Sequence, residues 1–302
     1  MNTGVRLLVG LLLFAILIAA GIAIIHAGGY GLTLFVTFPV LLGGVASWVF
    51  RPATHFRALM LGVLAAAVAS VGLLLLRLDG LICIVMALPL TAPLAALGSW
   101  LVYQAEPSGR IRRGLGILLM LPPGMLWDAA APPPVFEVHT SLVINAPPEK
   151  IWKYVVSFPP LPEPHEWYFR AGLAYPTLTR IEGSGAGATR YCEFSTGPVV
   201  EPIEVWDEAR LLRFRVTESP APMHELSPYA QVEPKHLHGY LVSKEGQFLL
   251  TPLDHGRTLV EGTSWYQHGL WPAGYWRVWS DAIIHRIHLR VLHHIKTLAE
   301  KQ

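Results

Sequence analysis

"VFEVHTSLVINAPPEKIWKYVVSF", residues 135–158, decides the fold of the C-terminal part of this chain. Apolar residues share even-numbered positions in its first half: Phe136, Val138, Leu142 and Ile144. This period of two predicts a β-strand with one buried face. Pro147 and Pro148 then end the strand and open a helix, because proline suits a first helical turn.

The residues that follow predict further strands and one long helix. Turn signals such as "EGSGAG", "STGP" and "DHG" separate the predicted strands. The strands are expected at 175–182, 187–196, 199–207, 211–218, 246–253 and 257–267. A closing helix is predicted over 273–301. Strands bracketed by helices favour an antiparallel α+β domain over alternating βαβ units.

"SLVINAPPEKIWKYVVSF" and the glycine-broken strand "GSGAGATRYCEF", residues 183–194, resemble the START-like, or SRPBCC, superfamily. Its members include polyketide cyclases and lipid-transfer proteins. The resemblance covers about residues 136–300 and implies a helix-grip fold, in which a curved antiparallel sheet wraps a long C-terminal helix around an apolar cavity. It assigns no catalytic residue, because the superfamily shares none and a fold does not fix a function.

The N-terminal part is too apolar for a water-soluble protein. The whole chain is 52% hydrophobic and 15% charged, with a mean hydropathy of +0.42. The excess lies in residues 1–130, in apolar runs close to the ~20 residues that cross a bilayer. Spans are predicted at about 7–27, 31–50, 58–76 and 81–103, with a short fifth segment at 114–130. A proline-rich linker, 131–135, precedes the START-like domain, 136–302.

The arginines predict the orientation of these spans. With the N-terminus inside, six arginines lie on the cytoplasmic side and only Arg77 lies outside. The fifth segment contains Pro122 and Pro123 and is short for a crossing. If it crosses, the C-terminal domain is extracytoplasmic; if it lies at the cytoplasmic face, the domain is cytoplasmic. We expect a multi-pass protein of the plasma or inner membrane with the domain outside.

Charge and cysteine usage exclude some functions of the C-terminal part. Residues 135–302 contain 16 Lys and Arg against 18 Asp and Glu, so no nucleic-acid partner is expected. Cys83 lies in a predicted span and Cys192 in the domain, so no disulfide is expected. The expected partners are membrane lipids and a hydrophobic small molecule.

"DAIIHRIHLRVLHHI", residues 281–295, is the most suggestive stretch of the closing helix. A helical wheel gives one apolar arc: Trp276, Ile283, Ile284, Ile287, Val291, Ile295 and Leu298. Asp281 and His288 lie at its edge and His285 just beyond. We predict that these three border a ligand cavity, with Asp281 orienting an imidazole. The alternative is a solvated helix flank.

Other candidates come from strands and loops. Glu201 and Glu261 share strand parity with apolar neighbours, and Glu261 also with Trp265, so either carboxylate could face inward and need a partner. Ionisable and aromatic residues concentrate on loops, where functional groups are frequent. The remaining candidate ligand-binding residues are His165, Glu166, Arg170, Arg190, Glu225, His236 and His238. Their histidine pieces lack the spacing of a metal site, so we expect neither a metal nor a cofactor.

Two functions stay open at this point. One is a membrane-tethered module that binds a lipid or another apolar molecule. The other is a cyclase- or hydrolase-like enzyme that uses cavity histidines and carboxylates for general acid/base chemistry.

Overall fold

The computed structural model describes residues 3–105, 126, 133–229, 232 and 234–301. These residues form two compact units. Unit 1 comprises Met1–Pro132, Glu225–His236 and Gly269–Pro272; unit 2 comprises Pro133–His224, Leu237–His268 and Ala273–Gln302. The units therefore differ from the predicted division near residue 130, because two stretches of the C-terminal part belong to unit 1.

Among its described residues, unit 1 contains four helices that are long and apolar enough to cross a membrane. They are α1 (Thr3–His26), α2 (Phe38–Phe50, preceded by a π-helical turn at Thr33–Thr37), α3 (His55–Leu75) and α4 (Leu81–Ala105). Their bounds agree with the predicted spans to within a few residues. The exposed side chains of α1 include Leu8, Leu11 and Leu12, as expected for a helix that faces lipid. The predicted fifth segment falls almost entirely outside the described residues.

Small residues bring α4 against α2 and α3. A Cβ built on Gly98 would lie 2.0 Å from the carbonyl oxygen of Val40, and one on Gly43 only 1.8 Å from that of Ala95. Ser99 donates a hydrogen bond of 2.6 Å to the carbonyl oxygen of Ala58 in α3. Close backbone approach through glycine and hydroxyl bonds between helices are typical of packing within a bilayer.

The two inserted stretches of unit 1 contact the connections between its helices. The backbone N–H of Leu81 donates to the carbonyl oxygen of Leu226 at 2.9 Å, and that of Trp271 to Tyr30 at 3.1 Å. The Arg77 guanidinium stacks over the Tyr229 ring at 4.2 Å. These contacts hold Glu225–His236 and Gly269–Pro272 against the connections between the four helices of unit 1.

Unit 2 is a seven-stranded antiparallel sheet with three helices. The strands are β1 (Val135–Ile144), β2 (Pro176–Glu182), β3 (Thr189–Phe194), β4 (Gly197–Asp207), β5 (Leu211–Arg215), β6 (Leu241–Leu253) and β7 (Arg257–His268). Their order in the curved sheet is β1-β7-β6-β5-β4-β3-β2. The helices are α5 (Pro148–Val156), α6 (Trp167–Arg170) and α7 (Ala273–Glu300). The predicted helix-grip fold is confirmed, although β5 ends earlier and β6 begins earlier than predicted.

The core of unit 2 lies where α5 and the second half of α7 meet the sheet. Ile151 and Val155 of α5 are fully buried, as are Leu292 and Ile295 of α7. The helical wheel omitted Leu292 from the apolar arc. It placed Ile283, Ile284 and Ile287 toward the sheet and the cavity, and these residues are partly buried and line the cavity.

Candidate functional site

A cavity of about 170 Å³ lies between the sheet and α7 of unit 2. Most of the side chains around it are apolar, including Cys192, Phe194, Val199, Phe214, Phe248, Ile283, Ile284, Ile287 and Val291. Pro220 and Pro222 lie on its border in the segment after β5. The polar side chains on the same cavity include Arg190, Glu201, Ser264 and His288. Such a site, mostly apolar with a few placed polar groups, is typical of small-molecule binding.

Arg190 and Glu201 form a buried ion pair on this cavity. They face each other across β3 and β4 in the sheet register, and an Arg190 Nη1 donates to Glu201 Oε2. Only 2% of the Arg190 side chain and 8% of the Glu201 side chain are exposed. Burial raises the pKa of Glu201, and the adjacent guanidinium lowers it in part. Strand parity correctly placed Glu201 inside, next to Val199.

Aromatic rings enclose the Arg190 guanidinium. Its carbon lies 5.5 Å from the centroid of Phe214, 5.6 Å from that of Phe248 and 5.8 Å from that of Phe158. These separations are within the range of cation–π attraction. Arg190 Nε also donates to the carbonyl oxygen of Val156 at 3.2 Å. The arginine is thus fixed in position before any ligand binds.

His288 belongs to a hydrogen-bond network that reaches from the cavity to the surface. Its Nε2 lies 2.8 Å from the Ser264 hydroxyl, and its Nδ1 lies 3.1 Å from the Thr140 hydroxyl. Thr140 in turn lies 2.7 Å from Nδ1 of His285, which is exposed. Since a neutral imidazole donates at one nitrogen and accepts at the other, the network can be oriented in either direction.

Burial, with a smaller contribution from neighbouring His285 and His139, lowers the pKa of His288 to about 4. The imidazole is therefore neutral near pH 7. Both ring nitrogens of His288 bond to protein hydroxyls, so a proton from a bound group would reach the imidazole through Ser264, which lines the cavity, and leave it through Thr140. With a pKa of about 4, His288 is a weak base at pH 7.

Asp281 does not take part in this network. Its Oδ1 accepts from the Tyr266 hydroxyl at 2.6 Å, and its Oδ2 accepts from Nε of Arg277 at 3.0 Å. The predicted pairing of Asp281 with an imidazole is wrong, because a tyrosine on β7 and an arginine one turn back occupy the carboxylate. Of the three predicted residues on α7, only His288 lines the cavity.

Glu261 and Trp265 do not line the cavity either. Glu261 Oε1 lies 3.2 Å from Nε2 of His139, and the Trp265 indole donates to Glu137 at 2.9 Å. Both partners are on β1, the neighbouring strand. Alternation placed Glu261 and Trp265 on one face of β7 but did not show whether that face meets the core. The opposite face does, since Val260 on that face is fully buried.

The loop candidates lie elsewhere in unit 2. His165 and Glu166 border a surface depression beside α7, where Glu166 lies 3.9 Å from Arg290. Arg170 is exposed at the end of α6, and His238 is exposed after a short helical turn. Cys192 is buried, and its pKa is raised by burial and by Glu201, so the thiol is a poor nucleophile.

Glu225 and His236 belong to unit 1, where they meet Asp79 and Cys83. Burial lowers the pKa of His236 to about 4. Burial and the nearby Glu225 raise the pKa of Asp79 to about 8. Sequence reasoning considered Glu225 and His236 as separate loop residues and missed Asp79 and Cys83, since nothing in their spacing joins residues more than 140 positions apart.

Comparisons with known proteins gave one family model and several similar solved structures. Residues 135–263 match the family model described as "Polyketide cyclase / dehydrase and lipid transport". Similar solved structures include norcoclaurine synthase from Thalictrum flavum, with 12% identity, a TM-score of 0.37 and coverage of 57% of this chain and 98% of that one. The Zhui aromatase/cyclase from a Streptomyces species has 16% identity, a TM-score of 0.35 and coverage of 56% and 95%. A protein from Nitrosospira multiformis has 18% identity, a TM-score of 0.35 and coverage of 54% and 94%. No curated protein matches.

Proposed function

We propose, since residues 135–263 match the family model described as "Polyketide cyclase / dehydrase and lipid transport", that this domain binds a small apolar molecule with one polar group. The observation that carries the proposal is the cavity between sheet and α7, with its buried Arg190–Glu201 pair. Apolar walls favour a hydrophobic ligand, and fixed charged groups select a ligand that can hydrogen-bond to them.

The size of the cavity limits the ligand. A cavity of about 150 Å³ is large enough for benzene, so about 170 Å³ holds one ring or a short acyl segment. A longer lipid chain would have to extend past Pro220 and Pro222 on the border. We therefore favour a compact aromatic or isoprenoid-like group over a complete diacyl lipid.

Native mass spectrometry of the full chain in detergent tests this function. We expect wild-type protein to retain a molecule that solvent extraction releases and identifies. Val199→Trp should remove it, because Val199 is 8% exposed and lines the cavity. Val205→Trp on the same strand is the control, since Val205 is 38% exposed. Equal retention by both variants, or no retained or bindable apolar molecule, would contradict the proposal.

A second candidate function is acid/base catalysis on the bound molecule. It is favoured by the network of Ser264, His288, Thr140 and His285, which connects the cavity to the exposed surface. In this case the Ser264 hydroxyl takes a proton from the ligand as it gives its own to His288, and Thr140 and His285 pass a proton on to water. His288→Gln should then abolish conversion of the extracted molecule while retaining its binding. A purely binding module would return the molecule unchanged from both proteins.

We further propose that the protein is a multi-pass protein of the plasma or inner membrane, with its C-terminal domain outside. Four long apolar helices support the membrane location. Within unit 1, Glu225–His236 contacts the connection between α3 and α4, which the arginine bias places outside. The fifth segment would then have to cross the membrane.

Fusions to reporters that are active on only one side of the membrane test this orientation. After residue 134, a reporter that works only outside the cytoplasm should be active. After Arg51, a reporter that works only in the cytoplasm should be active. Cytoplasmic activity of both fusions would overturn the proposed side of the domain.

A further inference from the structure

Four side chains of unit 1 bring together the donor atoms of a metal site: Asp79, Cys83, Glu225 and His236. Each offers one ligand atom, and these atoms all lie within 4.8 Å of one another. Cys83 and His236 are buried, whereas Asp79 and Glu225 are partly buried. The cluster therefore combines a thiol, an imidazole and two carboxyl groups in a small, largely dry volume.

The start of α4 positions the cluster. Asp79 lies two residues before the helix and Cys83 lies in its first turn. Their ligand atoms meet at this end of the helix. Backbone N–H groups at the start of this helix bind the segment that carries Glu225. Ile82 donates to Glu225 Oε2 at 3.2 Å, next to the backbone bond from Leu81 to Leu226.

Gly80 makes this close contact possible. A Cβ at this position would lie 2.1 Å from Glu225 Oε2 and 2.5 Å from the Cβ of Glu225. Any other residue would push Glu225 away from Asp79 and Cys83. The glycine thus lets two distant segments of the chain present their ligand atoms to one point.

The distances suit a four-coordinate ion. With metal–ligand bonds of about 2.0–2.3 Å, a tetrahedral zinc site separates its ligand atoms by about 3.3–3.8 Å. Here Cys83 Sγ lies 2.9 Å from His236 Nε2, and Asp79 Oδ1 lies 4.0 Å from the same nitrogen. The observed separations lie on both sides of the required value, so small side-chain rotations close the site.

Two polar atoms of the cluster lack a hydrogen bond. Glu225 Oε1 and His236 Nδ1 are buried and have no partner among the residues that the structure describes. A buried polar group without a partner costs about 1–3 kcal/mol. A cation held by the Glu225 carboxylate would use its free oxygen. A metal bond at His236 Nε2 would place the proton on Nδ1, which keeps no partner among the described residues.

We propose that Asp79, Cys83, Glu225 and His236 bind one Zn²⁺ ion. Thiolate and imidazole ligands select zinc over magnesium or calcium, which prefer oxygen. Four protein ligands leave no open position, which is the arrangement of structural sites. The ion would join the α3–α4 connection to Glu225–His236. The proposal departs from our sequence-based expectation of no metal and does not depend on the ligand of the cavity.

Metal analysis of the full-length protein in detergent is the first test. We expect one zinc per chain after dialysis against zinc and removal of the excess. Replacement by Co²⁺ should give the visible bands of a tetrahedral ion and the near-ultraviolet band of thiolate-to-cobalt charge transfer. Absence of stoichiometric zinc in the wild-type protein, or cobalt binding without the thiolate band, would overturn the proposal.

Matched variants then locate the site. Cys83→Ser and His236→Gln should each lower zinc affinity more than about 100-fold, because even outer-shell changes cost 10–100-fold. Cys192→Ser and His238→Gln are the controls: each replaces the same residue type outside the cluster and should leave zinc binding unchanged. Unchanged binding in the first pair would contradict the assignment. If those variants do not fold, the cobalt spectrum of the wild-type protein decides alone.

Discussion

Replacing Glu201 by Gln should destabilise unit 2 by about 3–5 kcal/mol, the usual cost of removing one partner from a buried ion pair. Arg190, with 2% of its side chain exposed, would keep its charge without a counter-ion. The Phe rings and the Val156 carbonyl oxygen offset only part of this cost. Because Gln and Glu are nearly equal in size, Glu201→Gln removes the charge and keeps the packing almost unchanged.

Peptide-resolved hydrogen exchange in detergent measures the effect within the full chain. Amides of β3 and β4 should lose protection that corresponds to the whole free-energy change, since these strands carry the pair. The double variant Arg190→Met, Glu201→Leu should be less destabilised than Glu201→Gln, because an apolar pair leaves no buried charge.

Asp207→Asn provides the matched control on β4. Asp207 pairs with Arg210, and their side chains are 45% and 69% exposed, so the expected change is below about 1 kcal/mol. A loss of less than about 1 kcal/mol in Glu201→Gln, or a double variant as unstable as the sum of its single changes, would refute the electrostatic role assigned to the pair.

Three further predictions concern other parts of the molecule. The pKa of His288 is about 4 in the folded protein and about 6.5 in the unfolded chain, so the free energy of unfolding of unit 2 should fall by up to about 3 kcal/mol as the pH falls from 6.5 to 4. Hydrogen exchange measured across this pH range should show a smaller loss of stability in His288→Gln. An equal loss in both proteins would exclude His288 as the cause. Gly98→Ala should lower the thermal midpoint of unit 1 because its Cβ meets backbone at 2.0 Å, whereas Gly72→Ala, with nothing within 4 Å, should not; equal midpoints would contradict the close packing. Gly80→Ala should weaken zinc binding by displacing Glu225, and metal analysis showing full occupancy would argue against that geometry.

The sequence predicted the elements of unit 2 well because their signals are local. The alternating residues of β1 and the prolines before α5 act within a few positions, so strand, helix and curved sheet could be inferred together. Glu201 was placed correctly because its apolar neighbours on β4 face the cavity. Glu261 has the same pattern, yet it lies on the other face of its strand, since alternation defines two faces without naming the buried one.

The contacts between distant residues could not be predicted. Asp281 was expected to orient a histidine on its own helix, but its carboxylate accepts a hydrogen bond from the Tyr266 hydroxyl on β7 instead. Thr140, which joins His285 to His288, gave no sign of its role because threonine is common in strands. The four-residue cluster of unit 1 depends on chain segments that only the folded backbone brings together.

The two cysteines of the chain, Cys83 in unit 1 and Cys192 in unit 2, are both free and buried. The rate at which a thiol reagent modifies each cysteine therefore reports how often its unit opens, because the reagent can react only while the surrounding structure is transiently open. Mass spectrometry distinguishes the two peptides, so a single labelling experiment yields two independent rates. A molecule that slows only the modification of Cys192 acts on the cavity, and an ion that slows only that of Cys83 acts on unit 1. Candidate ligands can thus be screened without an activity assay.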